Sequence, residues 1–355
     1  MRYKLNIYLL LLAISVFGCV ERSTPLVYDN LINTVQINGN NRDMIISDST
    51  LFVAGEDEGL VIYNLSMDKD DSLLYFNSLF KDSLYFSNLD LSGVLYSKTL
   101  REVFVLDKFY SIKSSKVAPL LVDSIKTQFN NIGGFLDNEH PSRFSINDID
   151  FEVELFSVIR NKSGQVGVSS DIVSIYETDI IYIDDETTIY DNKLIIDSLI
   201  YDVTDIHYQE NNLFISNTSN IKFEFRKYSR IDNFQSDDYI AIEVPYLPKC
   251  IYANDRFVFV GMLERGGVII YRISNMEAVL EAAKGFSIRE VYWDQESNLL
   301  LLSCGYQGIV IMQLDNEMNE VNSWLISSSY AYSSRYYKGY ILVSTKNGIE
   351  GIKFK

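Results

Sequence analysis

The sequence has few of the residues that build metal and redox centres. Its 355 residues include two histidines, His140 and His207, and only three cysteines. Two histidines do not make a histidine-rich metal site or a chain of proton relays. The sequence also contains no phosphate-binding loop, nucleophile elbow or zinc-type cysteine pattern. We therefore predict no cofactor, no metal and no catalytic residue.

Basic residues are in deficit. The chain carries 31 Lys and Arg against 48 Asp and Glu, a formal net charge of −17. Nucleic-acid phosphates and anionic lipid headgroups both require a basic surface, so nucleic acid is excluded as a partner and so is flat adsorption to a membrane. An acidic surface favours solubility and cationic partners or ions.

Long apolar runs are also absent. The candidate at the N-terminus, Ile7–Phe17, has eleven residues, whereas a helix that spans a bilayer needs about 20. It follows two cations, Arg2 and Lys4, and ends at a small residue, Gly18. A basic segment, a short apolar segment and a small residue at the cut predict a secretory signal peptide over residues 1–18.

The segment VFGC at 16–19 resembles a bacterial lipobox, in which a small residue precedes the cysteine that is diacylated. Phe17 departs from that pattern, and an ordinary secretory signal stays open as the alternative. The resemblance implies lipidation at Cys19, a lipidated tether over residues 19–30 and a membrane partner held through the N-terminal lipid. Two or more acyl chains anchor a soluble domain stably. The expected location is the cell envelope, on the periplasmic side or the cell surface.

Two cysteines remain, Cys250 and Cys304, each within an apolar stretch. An oxidising compartment would permit a disulfide between them. Two residues so far apart inside apolar strands are more often two buried thiols. We favour the thiols and leave the disulfide open.

What the sequence has is strand-forming residues and a repeat. It contains 25 Tyr and 20 Phe, which favour β-strands together with Ile and Val, and its best helical candidate, 275–284, is short. One pattern recurs: an apolar strand, a polar loop, a glycine and a second strand. It occupies residues 50–66, 256–274, 299–315 and 340–354, with weaker copies at 93–107 and 212–225.

The spacing of these copies predicts the fold. Their glycine positions, or the residues in that place, are 59, 102, 220, 267, 308 and 348. A period of about 40–45 residues with several short strands per unit is typical of a β-propeller. The larger gap between 102 and 220 must hold one or two further units. We predict an all-β propeller over residues 31–355 with about seven four-stranded blades, eight being possible.

The flanking segments complete each blade. Innermost strands are predicted at Asp43–Ile46, Asp205–Tyr208 and Glu290–Trp293, each opening with an acid, and a fourth strand at Val321–Ile326. The last copy is not followed by a fourth strand. We predict that Thr34–Asn38 supplies it by pairing with Ile349–Phe354, which closes the ring and hides two strand edges.

The segments GLVIYNLS at 59–66 and GVIIYRIS at 267–274 resemble the LVIVD-repeat family of bacterial propeller lipoproteins. The resemblance covers about half of the chain; residues 108–200 depart from it. It implies an envelope-anchored binding or scaffold domain, and it carries no catalytic residue.

Loops between second and third strands of a propeller emerge on one face, and loops on a rigid ring carry recognition. We place them at 55–58, 98–101, 217–220, 262–266, 305–307 and 345–347. The candidate partner surface is Glu56, Asp57, Glu58, Lys98, Arg101, Glu264, Arg265, Tyr306 and Lys346. Any one of them is also explained as an ordinary polar turn.

The leading hypothesis is a non-enzymatic, lipid-anchored envelope module that binds a protein or glycan. The alternative is an envelope hydrolase or lyase that uses acidic residues of the propeller channel. Convergent carboxylates with an Arg or Tyr in a deep pocket would favour the enzyme, and a flat or plugged mouth would favour binding. A structural component of a secretion or assembly complex differs from the first hypothesis only in the identity of its partner.

Overall fold

The strands of this chain form separate antiparallel sheets arranged around one axis. A computed structural model describes residues 26–27, 32–35, 40–56, 58–69, 73–78, 90–107, 112–116, 130–132, 139–149, 152–161, 172–182, 188–199, 202–218, 222–229 and 238–354. Every regular element in these ranges is a β-strand. No helix in them is long and apolar enough to cross a membrane.

The first three blades each run outwards from an innermost strand in chain order. Blade 1 contains β3 (Asn41–Ser47), β4 (Thr50–Gly55), β5 (Gly59–Met67) and β6 (Leu74–Ser78). Blade 2 contains β7 (Leu91–Ser97), β8 (Glu102–Asp107), β9 (Ile112–Lys116) and β10 (Asn130–Ile132). Blade 3 contains β11 (Glu139–Ile149), β12 (Glu152–Asn161), β13 (Ile172–Tyr182) and β14 (Thr188–Leu199).

The remaining blades also run from the innermost strand outwards. Blade 4 contains β15 (Asp202–Gln209), β16 (Asn212–Thr218), β17 (Phe223–Ser229) and β18 (Tyr239–Glu243). Blade 5 contains β19 (Pro248–Ala253), β20 (Phe257–Met262), β21 (Gly267–Arg272) and β22 (Ala278–Ala282). Blade 6 contains β23 (Glu290–Asp294), β24 (Leu299–Ser303), β25 (Ile309–Leu314) and β26 (Glu320–Ile326). Blade 7 contains β27 (Ser333–Tyr337), β28 (Tyr340–Thr345), β29 (Gly348–Lys353) and β2 (Ile32–Val35).

The innermost strands contact one another in sequence, and β27 contacts β3, so the seven sheets close into a ring. The fold is a seven-bladed β-propeller. The prediction of an all-β propeller is confirmed, with seven blades and not eight. Blade 3, whose strands are longer than those of the other blades, fills the predicted gap alone.

The ring closes through an N-terminal strand, as predicted. β2 pairs antiparallel with β29, with Ile32 opposite Ile352 and Val35 opposite Ile349. The closing strand is therefore 32–35, two residues earlier than predicted. In addition, β1 (Leu26–Val27), which falls in the predicted tether, pairs parallel with β26 as a fifth strand of blade 6.

The core is divided among the blade junctions. One hydrophobic cluster lies between each pair of neighbouring blades; the cluster between blades 7 and 1, for example, contains Met44, Leu51, Tyr337 and Leu342. Strands β4, β8, β20, β24 and β28 are buried along their whole length. Both faces of these second strands pack on apolar neighbours, which explains why their sequences are nearly continuous apolar runs.

Two assignments from the sequence were wrong. Residues 93–107 are the first and second strands of blade 2, and not the second and third, so Glu102 does not occupy the glycine position. The short helical candidate at 275–284 contains strand β22, which pairs with β21. The mixture of apolar and polar residues in this segment suits an outer strand that is partly exposed. Its backbone groups form hydrogen bonds with β21 in place of the bonds within a helix.

Two turns between second and third strands require glycine because of their backbone conformation. Gly267 and Gly308 have φ values of +75° and +82°. A Cβ at either position would come within 2.2 Å of a carbonyl oxygen of the neighbouring chain segment. Only glycine fits this backbone without strain, so the repeated glycine marks this turn in the sequence.

Candidate functional site

One face of the ring gathers the loops between second and third strands together with the connections between blades. Because neighbouring strands run antiparallel, these two kinds of segment emerge at the same end of every blade. Six of the predicted surface residues lie there: Glu56, Glu58, Glu264, Arg265, Tyr306 and Lys346. We call this end the entry face, since each innermost strand begins there.

Lys98 and Arg101 lie on the opposite face, contrary to prediction. They join the first and second strands of blade 2, and Lys98 pairs with Asp48 of the equivalent turn in blade 1 at 3.3 Å. Arg101 occupies the turn with φ of +53°. Asp57 and Cys19 lie outside the residues that the structure describes.

A β-bulge opens the innermost strand in five blades. The register skips one residue in each of β3, β7, β11, β15 and β19. The skipped residues are Arg42, Ser92, Ser142, Thr204 and Lys249. Bulges of this kind re-aim side chains at the rims of barrels and next to functional sites. The same place is taken in blade 6 by Arg289 and in blade 7 by Tyr332, each directly before the innermost strand.

Three tyrosines of the entry face are in mutual contact. Tyr306, in the β24–β25 loop, meets Tyr330 edge to face with ring centroids 4.6 Å apart. Tyr330, in the connection from blade 6 to blade 7, lies 4.5 Å from the ring of Tyr332. Tyr306 is 75% exposed, whereas Tyr330 is buried, so the group presents one exposed ring that packs on a buried one.

Cations cover these rings. Lys346 donates a 2.7 Å hydrogen bond to the Tyr306 hydroxyl, and its ammonium lies 4.4 Å from the centre of the Tyr330 ring. The guanidinium of Arg42 lies 5.0 Å from the Tyr332 ring, and that of Arg289 lies 5.4 Å from the Tyr330 ring. We call this group of six residues the tyrosine–cation arc; it spans blades 6, 7 and 1.

The arc is held to blade 1 through polar contacts. Arg42 pairs with Glu56 at 2.7 Å, and the amide of Asn40 donates to the same carboxylate. The Tyr332 hydroxyl in turn lies 3.4 Å from the Asn40 amide oxygen. Of the predicted surface residues, the structure thus brings Glu56, Tyr306 and Lys346 into one connected group.

Glu264 and Arg265 lie apart from this group, in the turn between β20 and β21. Both have positive φ, +56° and +65°. The backbone N–H of Arg265 donates to the Ser287 hydroxyl at 3.1 Å, and its carbonyl accepts from Gly285. These contacts fix the turn on the connection to blade 6, so the pair forms a structured turn.

Two carboxylates, those of Glu290 and Asp43, converge on one arginine near the start of the innermost strands. Arg335 of β27 pairs with Glu290 of blade 6 at 2.5 Å and with Asp43 of blade 1 at 3.6 Å. Burial raises the pKa of Glu290 to about 7 against the opposing effect of Arg335. Burial likewise raises the pKa of Asp43.

These carboxylates are held by the backbone. Glu290 Oε2 accepts from the N–H of Ser334 at 2.9 Å, and Asp43 Oδ2 accepts from the N–H of Val94 at 3.2 Å. Each therefore links its own blade to the next one. A carboxylate that is hydrogen-bonded in this way stabilises the contact between two blades.

The cleft that the described residues form lies away from these carboxylates. A cleft of about 90 Å³ lies on the opposite face between blades 5 and 6, lined by residues that include Asp255, Arg256, Trp293 and Met318. Sites for small molecules have volumes of about 300–1,000 Å³, so this cleft does not qualify. In the ranges that the structure describes, no group of three or more His, Cys, Asp and Glu side chains is placed to hold a metal ion.

Cys250 and Cys304 are both buried and unpaired. Burial raises the pKa of Cys304 to about 12 and that of Cys250 well above its usual range. His207 is packed against Tyr252, its Nε2 lies 3.0 Å from the Ala253 carbonyl oxygen, and burial lowers its pKa to about 4. None of the three is poised for chemistry.

Sequence reasoning missed Arg42, Lys249, Arg289, Tyr330 and Tyr332. One signal was present: Arg42 and Arg289 each directly precede the acid that opens an innermost strand. The tyrosines stand in a connection between blades, where no repeat points to them.

Comparison with known proteins agrees with the fold. The chain is similar to the RRP9 WD40 repeats, with a TM-score of 0.62 and 10% identity over 94% of this chain and 100% of that one. It is also similar to the computationally designed Ika8 protein, with a TM-score of 0.59 and 10% identity over 94% and 100%. The WD40 β-propeller domain of Doa1 gives a TM-score of 0.57 and 13% identity over 93% and 96%.

No family model matches the chain, and no curated protein matches it. At identities of 10–13% the similarity to solved structures concerns the fold alone. The resemblance to LVIVD-repeat lipoproteins stays a prediction.

Proposed function

We propose that this protein is a lipid-anchored, non-enzymatic binding module of the bacterial cell envelope that docks a protein partner on its entry face. The observation that carries the proposal is the tyrosine–cation arc. Tyrosine and arginine are enriched among the residues that dominate binding energy at protein interfaces. An exposed Tyr306 on a packed tyrosine base offers such an anchor at low entropic cost.

The fold supports this choice over a glycan. One of the similar propellers is a chain of the mitotic checkpoint complex, with 11% identity and a TM-score of 0.58. A glycan platform needs open aromatic faces on which sugar rings can stack. Here the exposed Tyr306 ring has the Lys346 ammonium 4.7 Å from its centre, and Lys346 and Arg289 lie over the buried Tyr330 ring.

The hydrogen bonds and ion pairs that hold Glu290 and Asp43 argue against the hydrolase or lyase alternative. A general acid must lie within about 2.6–3.2 Å of the substrate atom that it protonates. The raised pKa of Glu290 would suit that role, but one of its oxygens pairs with Arg335 and the other accepts from Ser334. Releasing it would open the junction between blades 6 and 7.

The anchor and the envelope location rest on the N-terminal sequence. A lipid at Cys19 followed by a short tether would hold the propeller at a membrane surface. Replacing Cys19 by Ala should move the protein from the membrane to the soluble fraction and abolish labelling by a clickable fatty acid. Unchanged fractionation would overturn the anchor while leaving the binding proposal intact.

Binding is tested by capture from envelope membranes. We expect a defined partner with the native protein and its loss with Tyr306→Ala combined with Lys346→Ala. The matched control is Arg256→Ala combined with Glu296→Ala, two exposed residues of the opposite face. A partner retained by the first variant and lost by the control would overturn the assignment of the face, and a partner found with none of the three proteins would overturn the function.

A further inference from the structure

Two cations lie near the start of neighbouring innermost strands. Lys249 opens β19 of blade 5, and Arg289 directly precedes β23 of blade 6. In the part of the chain that the structure describes, neither makes an ion pair, whereas Arg42 and Arg335 both do. Arg289 instead packs on the Tyr330 ring.

A third cation lies close to them. Arg143 of β11 donates to the Thr204 carbonyl at 3.1 Å and to the Ser142 carbonyl at 2.7 Å. Burial lowers the pKa of Lys249, and the positive charges of Arg143 and Arg289 lower it further. The carboxylate of Asp205, which accepts from the N–H of Ile251 at 3.0 Å, opposes this effect. Lys249 and Arg143 therefore share one described carboxylate, and Arg289 adds a further positive charge.

This grouping runs against the charge of the molecule. The chain carries a net charge of −17, whereas Arg143, Lys249 and Arg289 around one described carboxylate make a local excess of positive charge. Like charges held close destabilise one another, and an anion that binds between them relieves that repulsion. The site therefore favours a negatively charged group.

We propose that Lys249 and Arg289, assisted by Arg143, form an anion site that receives the carboxylates of an acidic segment on the docked protein. This inference rests on the proposed function. Carboxylates suit the site because a guanidinium binds them through two parallel N–H donors. A dense polyanion is disfavoured, since the rest of the surface would repel it. Because Arg289 also belongs to the tyrosine–cation arc, the anion site is continuous with the arc.

The test measures binding of a fluorescein-labelled ten-residue peptide, with three glutamates among glycine and serine, to the full chain in detergent micelles. Fluorescence anisotropy is recorded at 50 and 200 mM salt. The test variant is Lys249→Met combined with Arg289→Gln. The matched control is Arg256→Gln combined with Arg272→Gln, which removes the same charge from the opposite end of blade 5.

We expect the native protein to bind the peptide, the test variant to bind at least about tenfold more weakly, and the control to stay within about twofold. Affinity should fall as salt rises, because exposed charges are screened. Equal loss in both variants, or no binding at 50 mM salt, would overturn the inference. Tighter binding of an oligogalacturonate than of the peptide would overturn the choice of an acidic protein segment. Circular dichroism of both variants verifies that they are folded.

The two proposals can fail separately. If a partner is captured equally by the native protein and by the Lys249→Met, Arg289→Gln variant, the anion site fails and the binding function stands. If the peptide binds as expected but no partner is captured from membranes, the anion site stands and the proposed function fails.

Discussion

Asp205 Oδ2 accepts a hydrogen bond from the backbone N–H of Ile251 at 3.0 Å, which joins the innermost strand of blade 4 to that of blade 5. The same bond recurs from Val94 to Asp43 and from Ser334 to Glu290. In each case the acid lies at the start of an innermost strand and the donor lies near the start of the next one. The acids that could have been taken for catalytic groups therefore act as clamps between blades.

Replacing Asp205 by Ala should lower the free energy of unfolding by about 1–3 kcal/mol, because the buried N–H of Ile251 loses its acceptor. Chemical denaturation measures the change. Glu296→Gln, on an exposed turn of blade 6, serves as the control and should leave stability within about 0.5 kcal/mol. A loss at Asp205 no larger than that of the control would show that the clamp does not hold the ring.

Stability should depend on pH through Glu290. Its pKa is raised to about 7 in the folded protein, above the value of about 4.3 for an unfolded chain. The folded state therefore holds the proton more tightly, and the stability that this contributes is lost as pH rises from about 4.5 through 7. The free energy of unfolding of the native protein minus that of Glu290→Gln should therefore fall from pH 5 to pH 8. A value that rises over this range would mean that Arg335 lowers the pKa of Glu290.

The turn glycines can be tested as a matched pair. Gly267 and Gly285 both have positive φ, but an added Cβ would lie 2.2 Å from the Ala282 carbonyl at the first and meet nothing within 4 Å at the second. Gly285→Ala should cost about 1–2 kcal/mol from backbone strain. Gly267→Ala should cost about 1–3 kcal/mol more because of the clash. Thermal unfolding compares them, and equal losses would refute the steric account of the repeat.

Closure by β2 predicts a sharp boundary for truncation. A chain that begins at residue 31 keeps β2, whereas one that begins at residue 40 exposes the edge of β29. The shorter chain should lose about 2–4 kcal/mol, since a four-residue strand makes two to four hydrogen bonds of about 1 kcal/mol each. It should also aggregate, because an unpaired edge invites other strands. Light scattering and denaturation measure both effects, and equal stability would contradict closure by β2.

Cys250 and Cys304 should react with maleimide only after unfolding. Both thiols are buried and have raised pKa values, and the thiolate is the reactive form. Mass spectrometry without reductant should find neither labelled in the native protein and both labelled in denaturant. Two unlabelled cysteines in denaturant would indicate a disulfide.

The fold could be predicted where local chemistry repeats. Gly59, Gly267 and Gly308 mark one turn because each needs positive φ, and the apolar strands around them need burial on both faces. The repeat was not matched to blade 3 in the sequence, so only the length of the gap between residues 102 and 220 indicated that blade. Residues 93–107 were misplaced because a hairpin of first and second strands alternates like one of second and third strands. The partners in the sheet decide between them, and these lie outside the local sequence.

The site could be predicted less well than the fold. Tyr306 and Lys346 were found because their loops recur in every blade. Their packing on Tyr330 was not predictable, because it depends on how blade 7 meets blade 6 in three dimensions. The same holds for Lys249 and Arg289, which are about 40 residues apart in sequence and become neighbours only when two blades pack together.

The central claim is that partners dock on the entry face. The most direct test places a photo-crosslinking amino acid in living cells either at Tyr306 or at Glu296, which stand at opposite ends of blade 6. Docking on the entry face predicts a discrete crosslinked protein from position 306 and none from position 296. Crosslinks from 296 alone, or from neither position, would contradict it.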